Sequence, residues 1–260
     1  MPQQSRKLRG GVLVLLLTAF AVAAQARVTQ EFHKTVPLGS NGGFSLENIN
    51  GAVHISVWDR NEVQIDAVKS ADRQRKLDEA QIEVSSAGSN VKVCTRIPGD
   101  QGRVERKVGW NKDNAANVEY TIHVPRRVAF NEISLVNGDL DVDGVTGSIH
   151  AESVNGNMRI LNAAGGLRAK SVNGHIEASF TNLSAEVVSM ETVNGALEVR
   201  LPENASAHLH ASTVNGGVHC DFAVERSKRG WGGHLEETIG SGATKVELSS
   251  VNGSIKISRI

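Results

Sequence analysis

Aromatic residues are scarce in this sequence: six Phe, three Trp and one Tyr make up 4% of its 260 residues. An ordinary β-sandwich would carry more rings between its sheets and would space its strands less regularly. The apolar positions of the repeats described below are filled by Val, Ile, Leu and Ala, which suits a narrow core. The composition therefore favours a narrow all-β architecture, with the sandwich as the alternative.

No charge of one sign predominates, since 28 Lys and Arg residues face 28 Asp and Glu residues. Three positive charges and no negative ones lie in the first 26 residues. The rest of the chain thus has 25 positive against 28 negative residues, a net charge of about −3. Domains that bind nucleic acids usually carry a basic excess, so we expect no nucleic-acid partner.

Long apolar runs are absent except at the N-terminus. There Arg6, Lys7 and Arg9 precede the apolar residues 11–24, and residues 24–26 form an A-x-A cleavage pattern. This arrangement predicts a secretory signal peptide over residues 1–26; an uncleaved anchor is the alternative. After signal cleavage we expect no transmembrane span, and export to the periplasm or the cell surface.

Cysteine is almost absent, with Cys94 and Cys220 the two examples. Each lies in a strand-like run of alternating apolar residues. Because an exported chain meets an oxidising compartment, the two could form a disulfide bond. The alternative is a pair of buried thiols that act as small apolar residues.

Glycine, by contrast, recurs at every ninth position from residue 138 to residue 174. Apolar residues follow each glycine after two, four and seven positions, and we expect these columns to point inward. Because Asn precedes every second glycine, the repeat unit is 18 residues, in two halves that each hold one strand and one turn. The columns are Leu140, Ile149, Met158, Leu167 and Ile176; Val142, Ala151, Ile160, Ala169 and Ala178; and Val145, Val154, Ala163 and Val172.

Two folds fit this repeat. Asn-Gly is the strongest signal for a two-residue hairpin, which would give an antiparallel meander. Regular columns favour a parallel β-solenoid, because stacked coils place like residues above one another. The outward residues Asp141, Arg159 and Glu177 alternate in sign, as neighbours on adjacent coils should. We predict the all-β parallel solenoid with 18-residue coils, whose turns and ladders are Asn137-Gly138, Asn155-Gly156, Asn173-Gly174, Asn194-Gly195, Asn215-Gly216 and Asn252-Gly253.

The organisation predicted from this pattern has three parts: the signal peptide at 1–26, N-terminal strands with a β-rich cap at 27–130, and the repeat solenoid at 131–260. One continuous domain would then cover about residues 40–260. Residues 71–80 are compatible with a short helix, and residues 82–93 with a hairpin. The C-terminal coil, which stops at Ile260, is predicted to form an end of the stack, covered by residues 222–243 or by a partner.

Motifs for chemistry are missing. The run from Asp139 to Gly144 matches the first half of an EF-hand loop, but His150 stands where the bidentate Glu belongs. His208 and His210 share a strand face, yet no Cys/His spacing indicates zinc, so we expect solvated histidines. We assign no catalytic residue, no cofactor and no metal.

Two similar segments interrupt the repeat, and each combines a basic run with Gly-Trp. Trp110 follows Arg106 in the first segment, and Trp231 follows Arg229 in the second. Exposed Trp and Arg side chains are frequent anchors in binding interfaces. These four residues are candidate partner-binding residues; the alternative is that each Trp folds back as a lid over a coil edge.

The cassette Ser/Thr-Val-Asn-Gly followed by alternating apolar residues recurs at 153–160, 171–178, 192–199, 213–220 and 250–257. Together with the signal peptide, it resembles the bacterial putative-adhesin family, domains of unknown function related to autotransporter adhesin head and toast-rack domains. The resemblance covers roughly residues 40–260. It implies a β-solenoid-like fold, export to the cell envelope, and an adhesive or structural role without catalytic residues.

Our first hypothesis is therefore an exported, non-enzymatic, adhesin-like β-solenoid that contacts a cell-envelope protein or glycan, or has a structural role. A β-helical glycan-active enzyme is one alternative. An envelope regulatory module that binds a membrane partner is another. Open sheet edges also predict edge-mediated self-association.

Overall fold

The computed structural model describes residues 27–97, 116–183, 187–222 and 233–260. These parts form twenty strands and one short helix. In chain order the elements are β1 (Val28–Pro37), β2 (Gly43–Asn50), β3 (Val53–Trp58), β4 (Glu62–Ala71), α1 (Gln74–Glu79), β5 (Gln81–Ala87), β6 (Asn90–Arg96), β7 (Asn117–Pro125), β8 (Ala129–Asn137), β9 (Leu140–Asp143), β10 (Ile149–Asn155), β11 (Met158–Ala163), β12 (Leu167–Asn173), β13 (Ile176–Phe180), β14 (Val187–Asn194), β15 (Leu197–Leu201), β16 (Ala207–Asn215), β17 (Val218–Cys220), β18 (Gly233–Ile239), β19 (Thr244–Asn252) and β20 (Ile255–Arg259).

The strands form two ten-stranded sheets. Sheet A has the order β1-β4-β7-β3-β9-β11-β13-β15-β20-β17, and sheet B has the order β18-β16-β19-β14-β12-β10-β8-β2-β6-β5. We call a strand of sheet B together with the next strand of sheet A a coil. Neighbouring coils pair in parallel, whereas β1, β4, β5 and β18 add antiparallel strands at the ends. The all-β, solenoid-like architecture is thus present, and parallel pairing rules out the hairpin meander.

Register between coils follows the sequence repeat. Leu140, Met158 and Ile176 align across β9, β11 and β13 at steps of 18 positions. The next partner is Leu197, 21 positions further on, so insertions lengthen the later coils. The outward residues Asp141 and Arg159 are also direct neighbours, as their alternating charges predicted.

The apolar columns at two and four residues after glycine all lie in the core, with exposures of 2% or less. The column at seven residues after glycine has both buried and exposed members. Val145 and Ala163 are buried, but Val154 and Val172 are 41% and 43% exposed, so the inward prediction is wrong for these two. They lie one residue before the Asn of the cassette, where Ser153 and Ser171 take the inward position and alternation turns the valines outward.

Chain order and spatial order differ at both ends of the stack. The coil β6/β7 lies outside β2/β3, although β2/β3 comes first in the sequence. At the other end, β19/β20 is inserted between β14/β15 and β16/β17. The prediction that the C-terminal coil forms an end of the stack is therefore wrong: the strand that stops at Arg259 is flanked on both sides.

The two cysteines lie in coils at opposite ends of the stack. Cys94 is on β6 and Cys220 on β17, and seven strand steps separate their coils. At about 4.8 Å per step this separation is roughly 34 Å, far beyond the reach of a disulfide. The predicted Cys94–Cys220 bridge is wrong, and no disulfide joins the two residues.

Two further expectations concern the N-terminal part. The short helix is present as α1, and the predicted hairpin is the antiparallel pair of β5 and β6. Within the residues that the structure describes, no helix has the length and apolarity that crossing a bilayer requires. The predicted signal peptide at 1–26 lies outside the described residues.

Candidate binding surface

Seven of the sheet B strands end at an Asn, and these residues form one continuous ladder of side-chain hydrogen bonds. Apart from the first member, each Asn donates from its amide nitrogen to the amide oxygen of the preceding member, with N···O distances between 2.7 and 3.0 Å. In spatial order the Asn ladder consists of Asn50, Asn137, Asn155, Asn173, Asn194, Asn252 and Asn215. It follows one corner of the solenoid through seven coils.

The ladder also explains why Asn is needed here. Asn is common in turns because it tolerates a left-handed backbone. In the described residues, only Asn41 and Asn162 among non-glycine residues have positive φ, and neither belongs to the ladder. In the ladder, Asn acts through its side-chain amide. Because this group both donates and accepts, the same hydrogen bond can form between each pair of adjacent coils.

A glycine column runs beside the Asn ladder because the backbones of adjacent coils meet there. Gly156 has a φ of +143°, and a Cβ on it would lie 2.1 Å from the carbonyl oxygen of Gly138. Gly174 and Gly195 would make similar clashes, at 1.9 and 2.0 Å. Glycine is required at this turn by the close approach of the backbones.

Next to the Asn ladder, on the outer face of sheet B, lies an exposed apolar row. We call it the valine stripe: Val136, Val154, Val172, Val193, Val251 and Val214. Five of its members are between 41% and 62% exposed, and Val136 is half-buried. Six strands at about 4.8 Å spacing make the stripe roughly 24 Å long. Few other large apolar side chains among the described residues are as exposed.

The stripe is flanked on its other side by polar residues of mixed charge. Glu152, Lys170 and Glu191 are neighbours in this row, and Lys170 Nζ lies 3.2 Å from Glu191 Oε2. Alternating signs leave little net charge along the row. The surface of sheet B thus combines a flat apolar stripe with a polar, nearly neutral border.

At the N-terminal end this border contains a tighter cluster. Glu47 forms an ion pair with Lys92 and accepts a hydrogen bond from Cys94 Sγ at 3.2 Å. Burial pushes the pKa of Glu47 upward, but these two hydrogen bonds and the charges of Lys92 and Arg96 together leave the pKa lowered. Burial, with help from Glu47, raises the pKa of Cys94 to about 11. Cys94 is therefore a thiol held as a donor.

The outer face of sheet A is lined by ion pairs between coils. Arg159 Nε donates to Asp141 Oδ1 at 2.9 Å, and Arg200 Nη2 lies 2.8 Å from Glu177 Oε1. Further along, Lys256 Nζ lies 3.3 Å from Glu198 Oε1. Carboxylates on this face are therefore held by cations of neighbouring coils. The predicted alternation holds from Asp141 to Glu177 and stops there, since the register partner of Glu177 is Glu198.

A shallow depression of about 290 Å³ lies on the same face. Its wall includes His54, whose Nδ1 is 3.0 Å from Asp141 Oδ2, and Ser56, whose hydroxyl is 2.8 Å from His123 Nδ1. The third carboxylate of the EF-hand-like run, Asp143, accepts a hydrogen bond from the Asn162 amide at 2.7 Å. These aspartates serve as partners for neighbouring coils.

The structure brings the predicted Asn and Gly residues together and separates the two cysteines. The predicted partner-binding residues Trp110, Arg106, Trp231 and Arg229 lie outside the described residues, so they stay predictions. Sequence reasoning missed the valine stripe, because it read Val154 and Val172 as core. Their position directly before the Asn of each cassette was the signal that could have identified them.

Comparison with known protein families places most of the chain in a described family. The model of the Toastrack DUF4097 family matches residues 42–258, most of the chain. The chain belongs to the Toastrack DUF4097 family. This finding confirms the resemblance to adhesin-like domains of unknown function that the cassette indicated. A comparison with curated proteins found no significant match.

Three solved structures illustrate what this Toastrack chain is similar to. A putative cell adhesion protein from Clostridium sporogenes is 15% identical, with a TM-score of 0.53, over 90% of this chain and 100% of that one. A putative adhesin from Bacteroides fragilis is 14% identical, with a TM-score of 0.41, over 89% and 97%. A putative lipid binding protein from Parabacteroides distasonis is 9% identical, with a TM-score of 0.29, over 88% and 96%. At these identities the first likeness shows a shared fold alone.

Proposed function

We propose that this chain is an exported, non-enzymatic, adhesin-like parallel β-solenoid, built on an 18-residue coil with an N-terminal β-rich cap. It would act in the periplasm or at the cell surface. Its contact surface would be the outer face of sheet B along the valine stripe. The partner we favour is a cell-envelope protein with an apolar contact strip, and a glycan is the second outcome of the test below.

The observation that carries this proposal is the exposure of the valine stripe. Val154, Val172 and Val193 are each more than 40% exposed and are aligned on adjacent strands. Soluble monomeric proteins seldom keep large contiguous apolar surface, and such patches often mark interaction sites. A β-branched side chain on a rigid strand also loses little conformational entropy on binding.

The electrostatics of the carboxylates favours binding over glycan hydrolysis. A glycosidase needs a general acid with a raised pKa close to a second carboxylate. The pKa is instead lowered at five described carboxyls, which are Glu47, Asp66, Asp72, Glu198 and Glu247. For Glu198, burial acts to raise the pKa, but hydrogen bonds from Lys256 and Arg200 outweigh it.

The test measures binding of the protein without residues 1–26 to a panel of envelope proteins, matrix proteins and glycans. The double variant Val172→Asp, Val193→Asp places charges in the stripe. The matched control is Val68→Asp, because Val68 is equally exposed, at 43%, but lies on β4. We expect the double variant to lose at least about tenfold in affinity, and the control to keep it.

Equal binding by the double variant and the wild type would overturn the valine stripe as the site. A parallel variant, Trp110→Ala with Trp231→Ala, would then show whether the two Gly-Trp segments hold the site instead. Release of reducing sugar in the same wells would overturn the non-enzymatic role. Light scattering of the unliganded variants checks for edge-mediated self-association, which the double variant should not change.

A further inference from the structure

The edge of sheet B at the C-terminal end gathers histidines and a carboxylate from two strands. β16 and β18 run antiparallel, with His210 directly opposite Glu236 and with His234 opposite Ser212. Since residues two apart on a strand share a face, His210, His234 and Glu236 all lie on the outer face. One donor atom from each of the three lies within 4.8 Å of the other two.

This set of donors matches the chemistry of a transition-metal ion. Imidazole nitrogen and carboxylate oxygen are both common zinc ligands, and two His with one carboxylate leave an open fourth position. Zinc bonds of about 2.0–2.2 Å put tetrahedral ligand atoms roughly 3.4 Å apart. His234 and Glu236 are exposed, so side-chain rotation can bring their donor atoms inward while the strands stay paired.

Neighbouring residues of β16, β18 and β19 surround these three side chains. His208 Nδ1 lies 3.0 Å from the Thr238 hydroxyl, and its Nε2 lies 3.6 Å from Glu236 Oε1. Glu247 on β19 is the register partner of His210 on the side away from β18. Glu247 is itself paired with Lys245, whose Nζ lies 2.7 Å from Glu247 Oε1, so Glu236 is the carboxylate that a dication among these three residues would meet. Residues around metal ligands commonly fix the ligands in this way.

We propose that His210, His234 and Glu236 bind one divalent transition-metal ion of the zinc class. Because the ligands come from both strands, the ion would fasten the outermost strand β18 to β16 and thereby stabilise this end of sheet B. Binding to the folded form alone raises stability in proportion to the logarithm of ligand concentration over Kd. The proposal is independent of the adhesive role.

The experiment is isothermal titration of the untagged protein with ZnCl₂, with a melting curve recorded at each zinc concentration. We expect one equivalent to bind and the melting temperature to rise, while MgCl₂ and CaCl₂ at equal concentration have little effect, since these ions prefer oxygen ligands. His234→Ala should reduce zinc affinity at least about tenfold. Glu236→Gln, which keeps the shape of the side chain, should also weaken binding.

The matched control is His150→Ala. His150 lies in the same outward row of sheet B as His210, but four strands away from β16 and beside Glu152. This variant should bind zinc as the wild type does and show the same rise in melting temperature. Absence of zinc binding by the wild type, or unchanged affinity in both His234→Ala and Glu236→Gln, would overturn the site. Circular dichroism in the absence of zinc verifies that each variant is folded.

Discussion

Both ends of the stack have sheet edges to cover, and in the described residues the N-terminal end covers them with more strands than the C-terminal end. At both ends the chain builds an outer coil out of sequence order and adds one antiparallel strand to sheet B, β5 or β18. At the N-terminal end, sheet A is further extended by the ten-residue strands β4 and β1, and α1 packs beside them. At the C-terminal end, the described part of sheet A stops at the three-residue strand β17.

The two ends also differ in their buried side-chain hydrogen bonds, which are more numerous at Asn48 than at the matching residue of the C-terminal end. At the N-terminal end, the buried Asn48 amide donates to Asn50 O, Gly51 O and Val118 O, and its oxygen accepts from Thr95. The column that begins with Asn48 reaches Thr213 at the other end, which donates one bond, to Gly253 O at 2.8 Å. In the described residues, one antiparallel strand therefore ends sheet B at each end of the stack, and the N-terminal end adds two further strands and a helix.

We expect the largest loss of stability in the glycine column of the central coils, which lie between the two ends. Gly156→Ala places a methyl group 2.1 Å from the Gly138 carbonyl oxygen at a φ of +143°. We expect a loss of about 2–5 kcal/mol in the free energy of unfolding, from clash and backbone strain together. Urea unfolding measures the loss. Gly39→Ala, where no atom lies within 4 Å of the added Cβ, should stay within about 0.5 kcal/mol of the wild type.

The second prediction compares the buried side-chain hydrogen bonds at the two ends. Asn48→Ala removes the amide donor from three carbonyl oxygens and takes one of two partners from the Thr95 hydroxyl, which keeps Tyr120 Oη at 2.8 Å. We expect it to cost about 2–4 kcal/mol, since buried polar groups are expensive to leave unpaired. Thr213→Val, which removes one bond at the other end, should cost about 0.5–1.5 kcal/mol. Equal losses in urea unfolding would contradict the stronger closure of the N-terminal end.

The third prediction compares the labelling rates of Cys94 at the N-terminal end and Cys220 at the C-terminal end. Burial raises the pKa of Cys94 to about 11, so at pH 8 little of it is the reactive thiolate. Cys220, at the other end, is more exposed than Cys94. With a disulfide-exchange reagent we expect two thiols per chain, with Cys94 reacting at least about tenfold more slowly. The single variants Cys94→Ser and Cys220→Ser assign the two phases. One rapid phase of two thiols would show that the N-terminal end opens freely.

The smallest effect is a pH dependence at the outermost strand of the N-terminal end. His33 on β1 lies 2.8 Å from Asp66 on β4. Hydrogen bonds to Asp66 and Glu31 raise the pKa of His33 above 6.5. Burial pushes the pKa of Asp66 upward, but hydrogen bonds from His33 and Gln64 leave it below 3.8. The His33 contribution is present below pH 6.5 and disappears as pH rises through its raised pKa; the Asp66 contribution disappears as pH falls through its lowered pKa.

The pair should therefore stabilise the strand between about pH 4 and 6.5 and lose its effect in alkaline solution. His33→Gln should lower the melting temperature slightly at pH 5.5 and leave it unchanged at pH 8.5. His54→Gln, which removes another His–Asp pair from the middle of the same sheet, provides a comparison in a strand with neighbours on both sides. A His33→Gln effect that is equal at the two pH values would contradict the ion pair.

The sequence by itself determined the parts of this protein that repeat. Glycine spacing, the columns that begin at Leu140 and Val142, and the outward Asp141 and Arg159 indicated stacked parallel strands, because each coil packs on its own copy. The same cassette pointed to the family. These features are local and periodic, so a reader of the sequence can recognise them without knowing which strand follows which in space.

Tertiary structure decided everything that depends on order along the stack. The outer positions of β6/β7 and β16/β17 place Cys94 and Cys220 at opposite ends of the stack. The insertion of β19/β20 gives the C-terminal strand neighbours on both sides, and antiparallel pairing brings β18 against β16. That last contact places His234 beside His210 although 24 positions separate them in the chain. Strand order at the ends is set by long-range pairing and by the cost of open edges, and no short-range pattern records it.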